Sequence, residues 1–452
     1  MTGCDPWSDR YQEWLTPDQR AIDSLALSLF DHPEVMVARQ LGVERLKDSF
    51  QSEVLDAPAT LAEAVDNLLF AALHTAANND PGRPKLIWSA RLPYAADGQS
   101  FPGCRYVGDT PDRVYRNIGV SADYRYEIKG WRHPTHPSVD DFSVDSLLPP
   151  VVLGRAQAAL QAPGGIDVDA DGSFTITADS TPADGRRNHL YVPPGTSTIW
   201  VRDTLQDWAS QVPNQARVRL LEGEPGPERS RDEIAADAAA TFKHCVDMTL
   251  AVFDNSLRDK PVNTLPAFLR GVNWGVAGGV LAYNRFDLDD DQALIVTLNT
   301  LGARYLGLVA TTPWMVSVAY DVHCSSLNNV QAQANTDGSY TFVLSPQDPG
   351  VHNWVDTGGL RTGVMLARWE LLSETPALAQ GGDGKTVADF AAENTVEGAV
   401  RETRVVKTRD VFETVPAGQS RVTPEQRKKL VAARKASYQV RVTGEPIAAP
   451  KI

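Results

Sequence analysis

The chain has 452 residues, 42% hydrophobic and 22% charged, with 43 basic against 57 acidic side chains and a formal charge of −14. At roughly 100 to 200 residues per domain this predicts two to four domains with cores of their own, and it excludes a disordered or tail-dominated protein. No stretch reaches the ~20 apolar residues that span a bilayer, and Met1 to Asp9 lacks the basic start and apolar run of a secretory leader, so the expected compartment is the cytoplasm.

The first 80 residues read as helical. Pro17-Asp18 precedes Ile22, Leu25, Leu29 and Phe30, and Pro58 precedes Leu61, Val65, Leu68, Leu69 and Leu73, all at helical spacing. Asn78-Asn79-Asp80-Pro81-Gly82 stops the second run. Short strands are expected at Leu86 to Trp88, Tyr124 to Ile128, Phe174 to Thr177 and Ile199 to Val201. A helical block returns from Arg231 to Leu257, and a second strand-rich region runs from Val272 to Leu372.

The order suggests an internal repeat. Asp171-Gly172-Ser173-Phe174-Thr175 recurs as Asp337-Gly338-Ser339-Tyr340-Thr341, Asn188-His189-Leu190 as Asn353-Trp354-Val355, and Arg202 as Arg368, at offsets of 165 or 166. Upstream, Asp109-Thr110 with Tyr115 matches Asn299-Thr300 with Tyr305 at an offset of 190. One insertion of about two dozen residues in the first copy reconciles the two offsets. It is placed at 133–163, as a loop followed by a short helix from Leu153 to Leu160.

The expected fold is therefore α+β, with two β-rich jelly-roll-like or sandwich units related by duplication and helical N-terminal and connecting segments. The boundaries are a helical region 1–83, a first β unit 84–225, a helical connector 226–262, a second β unit 263–373 and a basic extension 374–452. From Arg401 to Ile452 there are 12 basic and 5 acidic residues, a local +7 that leaves −21 on residues 1 to 400. An acidic body argues against a nucleic-acid groove, which needs a clustered cationic face. No membrane partner is expected, and the basic extension is assigned to contact with an acidic body, its own or that of a second copy in a homo-oligomer.

Several groupings carry chemistry. His133 and His136, with Asp140, Asp141 and Asp145 nearby, could supply a general base or hold a divalent metal ion. Asp109 or Asp112 could accept a proton beside Tyr115 as donor. Arg202, Asn353, Trp354 and Arg368 combine guanidinium, amide and indole groups suited to positioning a polar ligand against an aromatic wall. Asp167-Val168-Asp169-Ala170-Asp171-Gly172 resembles half of a calcium loop, but Ala178 stands where a bidentate Glu is needed, so a hairpin turn is the expectation.

Absences narrow the reaction. Cys4, Cys104, Cys245 and Cys324 form no Cys-x-x-Cys pair, so neither a disulfide framework nor a structural zinc is indicated. Phosphate loops, the dinucleotide-binding Gly-x-Gly-x-x-Gly, the Gly-x-Ser-x-Gly elbow and His-Glu-x-x-His are all missing. No cofactor is predicted. What remains is an enzyme of small-molecule catabolism, hydrolytic or eliminative, using a cleft between the two β units; the alternative is a non-catalytic small-molecule-binding or assembly protein. Ten Trp and 12 Tyr residues suit an aromatic or polycyclic ligand.

Gly108-Asp109-x-Pro111-Asp112-x-x-Tyr115, the strand Tyr126 to Gly130, the Asp171 to Thr175 hairpin and the Asp348 to Arg368 stretch with Asn353-Trp354 resemble the landmarks of a bacterial family catalogued as a domain of unknown function. The likeness covers residues 60 to 372 and the Arg-rich tail. It implies a jelly-roll-like β architecture with helical additions and no settled reaction. Some relatives carry a sulfotransferase label, which this chain, lacking a sulfonate-donor phosphate loop, does not inherit.

Overall fold

The computed structural model describes residues 16–96, 98–135, 137–147, 156–161, 166–265, 269–270, 280–370 and 398–443. Helices α1 (Pro17–Ser28), α2 (Pro33–Lys47) and α3 (Ala57–Ala77) open it, and α4 (Arg231–Val252) runs into a π-helical turn at Phe253–Leu257. Helix α1 begins where the Thr16 hydroxyl accepts from Gln19 N at 3.1 Å, with proline in the first turn. At the start of α4, Ser230 and Glu233 satisfy each other's backbone N–H in a capping box. Leu61, Val65, Leu68, Leu69 and Leu73 are buried as their spacing requires. Gly42 lets α2 approach α4, because a Cβ there would overlap the Phe242 ring.

Strand β1 (Ile87–Ser89) and a small hairpin of β2 (Tyr94–Ala96) and β3 (Gln99–Phe101) come next. The first β unit continues with β4 (Arg113–Gly119), β5 (Arg125–Trp131), β6 (Val139–Leu147), β7 (Ala156–Gln161), β8 (Ser173–Asp179), β9 (His189–Tyr191), β10 (Thr198–Thr204) and β11 (Gln215–Glu222). The second contains β12 (Leu269–Arg270), β13 (Val280–Asp287), β14 (Gln292–Leu298), β15 (Tyr305–Thr311), β16 (Ser326–Asn328), β17 (Tyr340–Ser345), β18 (Trp354–Asp356), β19 (Thr362–Glu370) and β20 (Val400–Lys407).

The first unit pairs its strands as β1-β4-β10-β6-β7 and β11-β5-β8-β9, the second as β12-β13-β19-β15-β16 and β20-β14-β17-β18. Strand for strand the two orders coincide. The parallel pairs also correspond, β8 with β9 and β17 with β18, among otherwise antiparallel ladders. The fold is α+β, built on antiparallel sheets.

Local bonds repeat as well. Asn188 accepts from Asp167 N at 2.7 Å and donates to Asp167 O at 2.8 Å; Asn353 accepts from Gln333 N at 2.7 Å and donates to Gln333 O at 2.8 Å. In the two Asp-Gly hairpins Ser173 N and Ser339 N donate to Asp171 and Asp337 at 2.9 and 3.0 Å, and Gly172 and Gly338 take φ of +85° and +80°.

Three expectations change. Segment 133–163 holds β6 and β7, which occupy the sheet positions of β15 and β16; residues 156–161 are a strand where a helix was expected. Tyr115 lies on β4 and Tyr305 on β15, which hold different places in their sheets, so the match at an offset of 190 is not a structural equivalence. The second unit also reaches beyond 373, since β20 pairs with β14 along its length. The basic extension folds onto its own body, through Arg401 to Asp337, Lys407 to Asp291 at 2.8 Å and Arg427 to Asp348 at 2.9 Å.

Each unit buries a sandwich core: Ile118, Ile128, Phe174, Ile176, Ile199 and Val201 in the first, Leu294, Val296, Leu306, Leu308, Phe342 and Met365 in the second. Strand side chains alternate, so the other faces of the five-stranded sheets must be covered too. Tyr115 and Trp200 from one sheet and Leu281, Tyr283, Val309 and Leu366 from the other join the helices in a single shared core.

Candidate functional site

The shared layer is where aromatic and charged groups converge. On β4 and β10 the cross-strand pairs Arg113 with Thr204, Tyr115 with Arg202 and Asn117 with Trp200 follow the same alternation and face one way. Tyr106, Tyr115 and Trp200 form a triangle of rings, each pair edge to face, with centroids 5.5 to 5.7 Å apart. All three are buried, at 6, 4 and 8% exposure. Thr110 N donates to the Tyr115 hydroxyl at 3.3 Å. The Tyr106 hydroxyl and the Trp200 indole N–H have no hydrogen-bond partner among the described residues. A buried donor left without a partner costs free energy, and such groups mark places that water or a ligand completes. Burial holds the Tyr106 phenol well above its ordinary value, Tyr115 and Asp109 push it the same way, and Arg202 and Arg113 oppose them. It is therefore a hydrogen-bond donor throughout the physiological range.

Beside the rings lies Asp109. Its carboxylate accepts from the Ser317 hydroxyl at 2.7 Å and from Ser317 N at 3.2 Å, while Arg105 donates to Ser317 O at 2.5 Å. Burial pushes the Asp109 carboxyl up to about 6, against the pull of Ser317, Arg105 and Arg368. Arg368 in turn donates to Gly108 O at 3.1 Å, and Gly108 N donates to Met315 O at 3.1 Å. These bonds latch loop 105–109 of the first unit to 315–317 of the second.

Asp112, three residues on, has a different setting. Its two carboxylate oxygens accept from Trp208 Nε1 and from the Tyr305 hydroxyl, both at 2.8 Å. Tyr305 folds back over Gly307, where a Cβ would collide with its hydroxyl. Arg113 is ion-paired with Glu370 of the second unit, and Thr204 joins them. The expected open cleft is therefore crossed by buried polar bonds around Asp112 and Glu370.

Of the residues singled out from sequence, Tyr115, Arg202 and Arg368 meet in this layer and Asp112 stands at its edge. Asn353 and Trp354 do not join them. Asn353 ties β17 to the Gln333 turn, and the Trp354 indole donates to Ser345 O at 3.2 Å under the Arg427 guanidinium. His133 follows β5, with its Nδ1 accepting from Thr135 N at 3.3 Å, and His136 lies outside the described residues. Among the described residues no three His, Cys, Asp or Glu side chains gather to hold a metal ion. The calcium-like segment is a hairpin whose Asp167 and Asp169 are paired with Arg187 at 3.0 and 3.1 Å. Trp200 was missed, although the period of two from Arg202 places it on the same face. Ser317 carried no local signal, and Tyr305 stood out only as a repeat match to Tyr115.

A separate cavity of about 460 Å³ opens at the outer rim of the second unit, lined by Phe50, Leu55, Val262, Arg285, Asp287 and Arg361 among others. The Arg258 and Arg285 guanidinium groups sit 4.6 and 5.3 Å from the Phe50 ring centroid. Among the described residues no helix is long and apolar enough to cross a membrane.

No protein-family model and no curated protein matches the chain. Among solved structures it is similar to an uncharacterised protein from Burkholderia cenocepacia, with 21% identity and a TM-score of 0.64 over 85% of this chain and 99% of that one. The VPA0106 protein from Vibrio parahaemolyticus aligns at 10% identity and a TM-score of 0.42, over 81% of this chain and 100% of that one. The first likeness shows a shared fold.

Proposed function

We propose that the chain is an enzyme of small-molecule catabolism whose substrate, an aromatic or polycyclic compound bearing a polar group, binds between the two five-stranded sheets. The observation that carries this reading is the pair of unpartnered buried donors, Tyr106 Oη and Trp200 Nε1, within one triangle of aromatic rings. Rings supply apolar contact for a flat ligand, and the two donors would orient its oxygen atoms. Asp109, with a carboxyl near 6, exchanges protons close to neutral pH and is the proton acceptor for a hydrolytic or eliminative step. Tyr106 donates a hydrogen bond to the oxygen on which charge develops. Arg202 and Arg368 bring guanidinium groups to the layer, Arg368 lying 3.9 Å from Glu370. No organic or metal cofactor is required for these steps.

We also infer that the two β units arose by duplication and resemble jelly rolls. Identical strand orders and the matching Asn188 and Asn353 clasps support this. A pseudo-twofold pair would place its ligand at the shared face, as in this reading, and a cytoplasmic location fits the acidic composition.

A thermal-shift screen of aromatic and polycyclic acids, alcohols and ketones, followed by turnover assays on each stabilising compound, tests the proposal. Turnover abolished by Asp109→Asn with binding retained supports it. Binding without turnover in the wild type favours the non-catalytic binding protein, and no stabilising compound argues against a ligand site in the layer.

A further inference from the structure

The C-terminal helix, α5 (Pro424–Thr443), turns an unusual face inward. Its inward stripe is Arg427, Tyr438 and Arg441, all buried, with the half-buried Arg434 between them, at spacings of seven, four and three, so one side of the helix is cationic where leucines would be expected. Leu430 is 39% exposed. The stripe lies over a groove made by both β units. Arg434 donates to Tyr320 O at 2.5 Å and to the Ser326 hydroxyl at 2.6 Å; Arg441 donates to Pro111 O at 2.7 Å. The Trp208 ring receives both guanidinium groups, at 4.1 and 4.4 Å from its centroid. Trp208 itself donates to Asp112, and the Tyr438 hydroxyl accepts from Leu92 N at 3.1 Å.

The groove is thus furnished for guanidinium groups: an indole face, two outward carbonyls, a hydroxyl and a carboxylate beneath. Its present occupants are poorly compensated. Neither Arg434 nor Arg441 has a carboxylate within ion-pair distance among the described residues, and one Arg441 Nη atom is buried without a partner. Burial lowers both side chains from their ordinary values. Removing a guanidinium from water without an ion-pair partner is costly, and cation–π contacts recover a part of that cost. The first turn of the helix is tied to the second unit, through Arg427 to Asp348 at 2.9 Å and to Val351 O at 2.5 Å, so only the half from Arg434 to Arg441 depends on the groove. Residues up to Val422 are pinned to the second unit through Val422 N to Gly350 O at 2.9 Å, and the helix starts at Pro424.

We propose that Trp208, Tyr320, Ser326 and Asp112 form a guanidinium-recognition groove, and that the half of α5 from Arg434 to Arg441 occupies it as a detachable internal ligand which a small alkylguanidine displaces. Release exposes the Pro111-Asp112 turn, close to the loop that carries Asp109. The inference stands on the groove's own contacts and does not depend on chemistry at Asp109.

Hydrogen exchange of the full-length protein, with agmatine as the probe and butylamine as the control, tests it. Peptides from 434–443 should exchange at least tenfold faster than those of α3, agmatine should speed them further and alter tryptophan emission, and butylamine should do neither. In Arg434→Gln/Arg441→Gln, agmatine should bind at least tenfold more tightly, because its internal competitor is weakened. Exchange as slow as that of α3, or fast exchange indifferent to agmatine, overturns the proposal. If the double variant does not fold, the wild-type response to agmatine against butylamine decides.

Discussion

Arg113 of the first β unit and Glu370 of the second form an ion pair in which each side chain is 1% exposed. The Thr204 hydroxyl bonds to both partners. Truncating one member of such a pair leaves a buried charge uncompensated, at a cost of about 3–5 kcal/mol. Glu370→Ala should lower the stability measured by urea unfolding by that amount. A loss below about 1 kcal/mol would mean that the units are held together elsewhere.

Asp109 predicts a pH dependence with a definite sign. Burial raises its folded-state carboxyl to about 6, above the ordinary value of 3.8. Its contribution to stability is therefore fully present below about pH 4 and is lost as pH rises through 6. The lost amount is about 2–3 kcal/mol at roughly 1.4 kcal/mol per pH unit. Asp109→Asn can keep both bonds to Ser317 and removes the titration. The difference in stability between variant and wild type should grow in the variant's favour from pH 4 to 7, as followed by urea midpoints; a constant difference would contradict it.

Tyr106→Phe separates stability from binding. The hydroxyl has no partner among the described residues, so its removal should change stability by less than about 1 kcal/mol or raise it. Affinity for any compound that stabilises the wild type should fall by about tenfold, the equivalent of one hydrogen bond of ~1.4 kcal/mol. Titration calorimetry reads both the loss and its enthalpy.

Asn353 makes the opposite prediction. Its amide satisfies Gln333 N, Gln333 O and Thr341 O, so Asn353→Ala strands three backbone groups, that of Thr341 buried and those of Gln333 half-buried. A loss of about 3 kcal/mol is expected, with ligand affinity unchanged. Asn188→Ala in the first unit, which breaks the equivalent two bonds, should behave alike.

Gly307→Ala tests how Tyr305 reaches Asp112. A Cβ at this position meets the Tyr305 ring and hydroxyl, so the bond to Asp112 should be lost. We expect about 2–3 kcal/mol of destabilisation from overpacking and the broken bond together. Tyr305→Phe, which loses the bond alone, should cost less.

Much of the secondary structure was legible because it is dictated locally. The leucines of α3 recur at helical spacing, and the helical block expected from Arg231 to Leu257 is α4 with its π-helical turn. Strand β7 was not legible. Its sequence, Ala156 to Gln161, is rich in helix formers, and only pairing with β6 makes it extended. The site was half visible. Tyr115, Arg202 and Arg368, which the fold brings into one layer, were singled out from residue type and repetition, whereas the partners of Asp112 lie 96 and 193 positions away, at Trp208 and Tyr305. Asn353 and Trp354 misled because the groups that suit a ligand equally suit a turn clasp and a helix contact. Tyr305 misled because an Asn-Thr turn followed by tyrosine is a local pattern that two different strands can share.

The most direct measurement is difference electron density from crystals of the protein grown with the most stabilising compound of the thermal-shift screen. The account predicts density between the two five-stranded sheets, with ligand oxygen atoms within hydrogen-bond distance of Tyr106 Oη and Trp200 Nε1. Density confined to the rim cavity beside Phe50, Arg285 and Arg361, with the aromatic triangle empty, would contradict it.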